Sequence, residues 1–216
     1  MPRDRFLQRK TAVLSKLDKS SIGKWDKRIK HLCEKINNLE DFYTTSSCSG
    51  RVILMIEQEK KENDLFLKVW HDKINFEELK SVLNTLTRDN VVNSRRNLLG
   101  LSVNNKDIVN NTIRIKSDNL IKFKLEPPII HIACRDLKKA TFILEKAKGV
   151  GFKRSSILTS DRNIIIELNT SERLEFPIIK NGNMLVEDEF LKLVVKMSNE
   201  KLEKGWRKIK RLGKIV

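Results

Sequence analysis

The chain has 216 residues, of which 39% are hydrophobic and 33% charged, and its formal net charge is +16. Three cysteines without a CxxC pair argue against a disulfide scaffold or a structural zinc site, and no apolar run approaches the ~20 residues that span a bilayer. We therefore expect a cytoplasmic protein without a metal, built as a single domain over residues 1–216 or as two fused halves.

The positive charge is concentrated at the two ends of the chain. Residues 1–30 contain ten Lys and Arg against three Asp, and residues 201–216 contain seven against one Glu. Residues 31–200 therefore contribute only +3 of the net charge of +16. Charge placed in this way is typical of a surface that binds a polyanion. The alternative is that these side chains cover solvated helix faces without a partner.

The first half of the chain predicts helices, a polar turn and a strand hairpin. Apolar residues at helical spacing predict a short helix over residues 4–17 and a second helix from Gly23 to Asp41. The small polar residues from Tyr43 to Arg51 offer nothing to pack in a core, and we interpret them as a turn. A hairpin and a helix are predicted next, at residues 52–56, 65–70 and 75–86.

The second half alternates strands and helices. The predicted elements are strand-like patches at 98–103 and 112–115, strands at 121–125 and 129–133 on either side of Pro127-Pro128, a helix at 136–149, a pair of strands at 162–168 and 175–179, and a long helix at 186–212. This order predicts an α/β (α+β layered) fold with a mixed β-sheet packed by helices. Paired serines between a helix and a strand recur at Ser46-Ser47 and Ser155-Ser156, so a duplication into halves of about 1–120 and 121–216 stays open.

The segment Thr44-Thr45-Ser46-Ser47-Cys48-Ser49-Gly50-Arg51 is the strongest local signal. It holds five hydroxyls, a thiol, a glycine and an arginine in eight residues, and it is neither a Walker A loop nor GxGxxG. One interpretation is a polar loop. The other is a ligand-binding turn, in which Gly50 allows close approach of the backbone and Arg51 offers a fork for a carboxylate or phosphate.

Several motifs follow one another along the chain: Asp18…Gly23…Asp26, TTSSCSGR, Trp70-His71, Lys124-x-Glu126-Pro127-x-Ile129-x-His131-x-x-Cys134 and Gly151-Phe152-Lys153-x-Ser155-x-Ile157. In this order the chain resembles the wybutosine-synthesizing protein 3 family, from about Phe6 to the C-terminal helix. The resemblance implies methyl transfer from S-adenosylmethionine to N4 of a demethylwyosine-type tricyclic base beside the anticodon of phenylalanine tRNA. It also implies a fold other than the Rossmann-type methyltransferase fold. Residues 93–122 depart from the eukaryotic form of the pattern, and we interpret them as an insertion.

The chemistry that the resemblance implies assigns candidate site residues. The cofactor would be bound by the polar segment, through Thr45, Ser46, Ser47, Ser49, Gly50 and Arg51. The acceptor nitrogen carries a proton that must leave, so a nearby base is expected, and the candidates are His71, His131 and Asp26. A structural alternative exists for each: His131 lies in an apolar strand context, and Asp26 could stabilise the first turn of its helix. His71 follows Trp70 at a strand end, a better place for chemistry, and both interpretations stay open for it.

Two kinds of side chain are candidates for binding tRNA. Tyr43 and Trp70 could stack on a base. The basic candidates for phosphate contacts are Lys10, Lys124, Lys201, Lys204, Arg207, Lys208 and Arg211. The alternative to an enzyme is a non-catalytic tRNA-binding or scaffolding module of the same pathway.

Overall fold

The structure is a computed structural model that describes residues 4–16, 26–56, 65–87, 120–159 and 164–216. In chain order the elements are α1 (Arg5–Leu14), α2 (Lys27–Asn38), β1 (Phe42–Cys48), β2 (Arg51–Ile56), β3 (Leu65–Trp70), α3 (Phe76–Leu86), β4 (Leu120–Glu126), β5 (Ile129–Cys134), α4 (Leu137–Gly149), β6 (Ser156–Thr159), β7 (Ile164–Asn169), β8 (Leu174–Lys180), β9 (Asn183–Met184) and α5 (Asp188–Ile215). These elements are divided between two compact units. Unit 1 is Met1–Gly50, Pro127–Glu172 and Glu203–Val216, and unit 2 is Arg51–Glu126 and Arg173–Leu202.

Unit 1 packs helices on one face of a four-stranded sheet with the order β1-β5-β7-β6. Side chains three or four residues apart on α2 form the stripe that faces the core. The same spacing buries one side of α4, and the C-terminal part of α5 adds two further residues. The helical part of this core consists of Ile29, Leu32, Cys33, Ile36, Ala140, Ile143, Leu144, Ala147, Ile209 and Leu212.

Arg135, directly after β5, joins several acidic side chains of unit 1. Its Nε donates to Asp41 at 2.6 Å, one terminal nitrogen donates to Glu40 at 3.0 Å, and the other donates to Asp4 at the start of α1. The hydrogen bond from Arg135 lowers the pKa of Asp4, and Lys139 is the main cause of the lowered pKa of Asp41. Because the pKa values of Asp4 and Asp41 are depressed in the folded state, their ion pairs stabilise the fold at neutral pH. This stabilisation is lost as the pH falls through the two pKa values.

Unit 2 contains a five-stranded sheet with the order β3-β2-β4-β8-β9. Its inner strand β2 is an unbroken apolar run, with every residue from Val52 to Ile56 buried. Asn75 caps helix α3: its side chain accepts from the backbone N–H of Glu78 at 2.7 Å and satisfies one of the first helical donors. The helix buries one stripe, formed by Leu79, Leu83 and Leu86.

The predicted fold class is confirmed: the chain combines helices and β-sheets in layers and does not have the Rossmann topology. In place of one mixed sheet there are two sheets, and every strand pairing in the described part of the chain is antiparallel.

No helix among the described residues is long and apolar enough to cross a membrane. The strand-like patches at 98–103 and 112–115, and all of the proposed insertion before residue 120, lie outside the described residues. The duplication into halves stays a prediction.

Two local predictions were wrong. The polar segment was interpreted as a turn, but residues 42–48 form β1, because their backbone pairs with β5 and the exposed part of the strand, at Thr45 and Ser46, needs no apolar side chains. The strands near 162–168 and 175–179 were expected to pair with each other. Instead, β7 pairs with β5 and β6 in unit 1, and β8 pairs with β4 and β9 in unit 2. Neighbouring strands in sequence belong here to different sheets.

Gly205 in α5 lies where a side chain has no room. A Cβ at this position would come within 2.7 Å of Cγ and 2.8 Å of Cδ of Pro128, the residue before β5. We expect Gly205→Ala to lower the free energy of unfolding by about 1–3 kcal/mol, because overpacking outweighs the gain of ~1 kcal/mol in helix propensity. Chemical denaturation measures the change.

Gly149, the last residue of α4, is the matched control. A Cβ there meets nothing within 4 Å, so Gly149→Ala should raise the free energy of unfolding by about 0.4–1 kcal/mol. Equal effects of the two substitutions would contradict the packing of α5 against Pro128.

Candidate active site in unit 1

An irregularity in β1 exposes two neighbouring hydroxyl side chains. Thr44 pairs with Ile132 and Ser46 with His131, so Thr45 is an extra residue in β1, which is a β-bulge. Successive side chains of a regular strand point to opposite faces, but Thr45 and Ser46 are both exposed. Bulges often occur next to active sites because they redirect a side chain in this way. The bulge therefore makes this part of the polar segment accessible to a ligand.

A row of hydrogen bonds crosses three strands of the unit 1 sheet. Ser46, His131 and Glu167 are register partners on β1, β5 and β7. Oγ of Ser46 lies 2.8 Å from Nδ1 of His131, and Nε2 of His131 lies 3.0 Å from Oε2 of Glu167. Nδ2 of Asn169 donates to the other oxygen of Glu167 at 3.3 Å. We call Ser46, His131 and Glu167 the polar row.

The polar row lies on the sheet face away from the core. Ile130 and Ile132 are fully buried, whereas the side chain of His131 between them is 28% exposed. The alternative that His131 is a core histidine is therefore wrong. Such a row can accept a proton at its exposed hydroxyl while the hydroxyl passes its own proton to the imidazole. The carboxylate then stabilises the positive charge on the imidazole ring.

Asp26 and Ser49 stabilise the end of β1. Oδ1 of Asp26 accepts from the backbone N–H of Arg28 at 3.0 Å and caps α2. Oδ2 accepts both from the backbone N–H of Ser49 at 3.1 Å and from its hydroxyl. Ser49 is fully buried, and Gly50 after it has a φ of 102°, which favours glycine. The structural interpretation of Asp26 thus accounts for both of its oxygens.

Both aromatic candidates for base stacking are buried. Tyr43 is 5% exposed, and its ring centroid lies 5.3 Å from that of Phe6 in unit 1. Burial raises the pKa of its hydroxyl. In unit 2, Trp70 is 8% exposed and its Nε1 donates to Glu78 at 2.6 Å. Their burial argues against the prediction that these rings stack on a base.

The remaining predicted site residues of unit 2 lie in its strands or directly after them. Nε of Arg51 donates to Oε2 of Glu126 at 2.7 Å, and Lys124 lies 3.5 Å from the same carboxylate. Arg51 follows Gly50 in the chain, and His71 follows β3 and is half-buried. The geometry of unit 2 thus gives Arg51 and Lys124 a shared acidic partner.

The predicted basic residues differ in what they contact. Lys10 donates to the backbone oxygen of Leu39, and Lys208 pairs with Glu172. Lys201 is half-buried in unit 2. Four exposed basic residues in the C-terminal part of α5 recur every three or four positions and form one helix face, which we call the basic stripe: Lys204, Arg207, Arg211 and Lys214. Lys210 is exposed as well and lies beside the stripe.

The three cysteines differ in reactivity. Burial raises the pKa of Cys33 to about 11 and that of Cys134 to about 12, so neither forms much thiolate near neutral pH. Cys48 is half-exposed at the end of β1. We expect a thiol reagent at pH 8 to label Cys48 fast and the other two at least about tenfold more slowly. Mass analysis of the labelled native protein checks this, and fast labelling of Cys48→Ser would contradict it.

Comparison with known proteins identifies the family. The family model described as Methyltransferase TYW3 matches residues 8–216. The chain belongs to this family. The resemblance drawn from the sequence motifs is therefore confirmed, and the chain is a member of a family of methyltransferases.

Two archaeal relatives carry the same name, tRNA(Phe) 7-((3-amino-3-carboxypropyl)-4-demethylwyosine(37)-N(4))-methyltransferase. The protein from Archaeoglobus fulgidus is 34% identical over 199 residues, which cover 91% of this chain and 85% of the relative. The protein from Methanocaldococcus jannaschii is 31% identical over 205 residues, covering 93% of this chain and 91% of the relative. A zebrafish (Danio rerio) relative, named tRNA wybutosine-synthesizing protein 3 homolog, is 29% identical and covers 100% of this chain and 76% of its own length.

The fold also matches a solved structure. The PH1069 protein from Pyrococcus horikoshii aligns with a TM-score of 0.75 at 26% identity, covering 97% of this chain and 95% of that one. A hypothetical protein from Aeropyrum pernix, at 21% identity and a TM-score of 0.64, shares the fold over 88% of this chain and 96% of that one. This chain thus shares its fold, with its two antiparallel sheets, with solved structures.

Proposed function

We propose that this protein transfers a methyl group from S-adenosylmethionine to N4 of a demethylwyosine-type tricyclic base next to the anticodon of phenylalanine tRNA. Membership of the methyltransferase family supports the reaction class, and the names of the two archaeal relatives support the substrate. The observation that carries the proposal for this chain is the polar row, which joins the exposed hydroxyl of Ser46 to an imidazole and a carboxylate.

S-adenosylmethionine fits the donors that the polar segment offers. When bound, it supplies an electrophilic methyl group on a sulfonium, which hydroxyl oxygens tolerate well. Thr45 and Ser46 present exposed hydroxyls, whereas the half-exposed Ser47 also contacts the thiol of Cys33. The positive φ of Gly50 allows the backbone to come close to a ligand. The hydroxyl of Ser49 is held by Asp26, so its contribution is to fix the strand end.

Arg51 remains the proposed partner of the carboxylate of the cofactor. Its Nε–H is committed to Glu126, so a ligand carboxylate would take the terminal NH groups of the guanidinium. His71 remains a second candidate base. Neither assignment depends on the polar row, and each is tested by its own alanine variant.

The chain's own residues handle the proton of the acceptor nitrogen. Methyl transfer is an in-line displacement in which positioning supplies most of the acceleration. The acceptor nitrogen must lose its proton, and Ser46 is the exposed end of the polar row to which that proton can go. His131 then holds the charge beside Glu167. The three free cysteines suit a reducing compartment, and we propose the cytoplasm as the place of action.

The decisive experiment is mass analysis of nucleosides after incubation of the protein with S-adenosylmethionine and undermodified phenylalanine tRNA. We expect one added methyl group on the tricyclic nucleoside and on no other. Equilibrium dialysis with labelled cofactor accompanies it, comparing the wild type with Arg51→Ala, which should bind more weakly. Binding of tRNA without cofactor binding or methylation would overturn the proposal in favour of a non-catalytic tRNA-binding module.

A further inference from the structure

We propose that Glu167 is a positioning residue that fixes the tautomer and the orientation of His131. The catalytic consequence rests on the function proposed above, whereas the effect on the ring does not. Glu167 is on β7, 36 residues from His131 in sequence, and no motif singled it out. Its partnership with the histidine comes from the strand register alone.

The chemistry of the three side chains fixes the direction of the hydrogen bonds. A carboxylate oxygen can only accept, so the ring nitrogen 3.0 Å from Oε2 of Glu167 must be the donor. The proton of the neutral ring is therefore on Nε2. Nδ1 is then the acceptor, and it lies 2.8 Å from Oγ of Ser46, whose O–H must donate to it.

Glu167 is itself held in place. Nδ2 of Asn169 donates to its Oε1 at 3.3 Å, while Oε2 contacts His131. Its side chain is 23% exposed, and its backbone pairs with that of His131 and with that of Ser156 across the sheet. A carboxylate fixed on both oxygens sets the plane of the imidazole as well as its tautomer.

This arrangement makes Ser46 the entry point for the proton. Because the O–H of Ser46 points to Nδ1, the lone pairs of Oγ are left for an incoming proton on the exposed side. The acceptor nitrogen loses its N–H bond as Oγ gains one, and the original Ser46 proton forms a bond to Nδ1. The electron pair that stays on the nitrogen would form the bond to the methyl group as the bond between that methyl group and the sulfonium breaks, with S-adenosylhomocysteine as the leaving group. The imidazolium that results lies against the carboxylate of Glu167.

The test is Glu167→Gln, which keeps the shape but replaces an acceptor oxygen with a donating amide. We expect ring ¹⁵N NMR to show Nε2–H in the wild type and a shift toward Nδ1–H in the variant. The chain has three histidines, so the spectrum of His131→Ala assigns the signals. The kcat should fall by about 10²-fold or more, while KM for tRNA stays within about twofold.

Two further variants control the result. Glu145→Gln removes an exposed carboxylate from α4 of the same unit and should change neither the ring signals nor kcat. Glu167→Asp keeps the acceptor and should restore part of the Nε2–H population and of the turnover. Wild-type ring signals in Glu167→Gln would overturn the inference, and so would lost turnover without a change of tautomer. If the wild type does not methylate tRNA, the NMR result still decides the role of Glu167, and only the proposed function fails.

Discussion

Replacing His131 with alanine is expected to lower the kcat of methyl transfer by about 10²–10⁴-fold, the usual contribution of a positioned acid–base group. The affinity for tRNA should stay near that of the wild type, because His131 is not one of the basic-stripe residues that are proposed to contact the phosphates. The ring contacts Ser46 and Glu167 on the outer face of the sheet, so its loss leaves the packed face intact. Single-turnover kinetics with saturating tRNA separate the chemical step from binding.

His31 provides the matched control. It is exposed on α2 in the same unit, and His31→Ala should leave both turnover and binding unchanged. His71→Ala tests the second candidate base in the same assay. A wild-type kcat for His131→Ala, with a large loss for His71→Ala, would move the proton acceptor from the polar row to unit 2.

Removing the charge of the basic stripe is expected to weaken tRNA binding by on the order of 10²-fold at low salt. The variant replaces Lys204, Arg207, Arg211 and Lys214 with glutamine. Each phosphate contact that is lost should also reduce the slope of log K against log salt by about 0.7–0.9. Binding titrations at several salt concentrations measure both effects, and the wild-type and variant affinities should converge at high salt.

Substitution is a better test of this surface than removal of residues 201–216. Ile209 and Leu212 are 3% and 0% exposed and belong to the core of unit 1, so a truncated chain would lose packing as well as charge. The matched control replaces four exposed basic residues elsewhere in unit 1 with glutamine: Lys138, Lys148, Lys153 and Arg154. An equal loss of affinity in both variants would show that only the net charge matters and would contradict a specific interface on α5.

The sequence predicted the elements whose signals are local. The apolar spacing on α2 and the buried run of β2 correspond to the observed helix and strand, because each pattern depends on neighbours within a few residues. The strand at Phe42–Cys48 was missed because the hydroxyl side chains from Thr44 to Ser47 give no apolar alternation, although Thr44 is buried. The two units could not be predicted, since the chain passes between them at Gly50, Glu126, Glu172 and Leu202.

Only some residues of the candidate site could be identified from the sequence. Ser46 and His131 were identified by the motifs, but their contact joins residues 85 apart, and Glu167 adds another strand. Such a row is fixed by strand register, which depends on the β-bulge at Thr45 and on pairings between distant segments. The bulge also explains why Ser46 is exposed, whereas Ser49 three residues later is buried against Asp26.

Chemical-shift mapping of the histidine rings with S-adenosylhomocysteine tests most directly that the reaction takes place at the polar row. Equilibrium dialysis first establishes the concentration at which the product saturates the protein. The account predicts that the ring signals of His131 shift on saturation, while those of His31 on α2 stay in place. Saturated binding with unmoved His131 signals would contradict it.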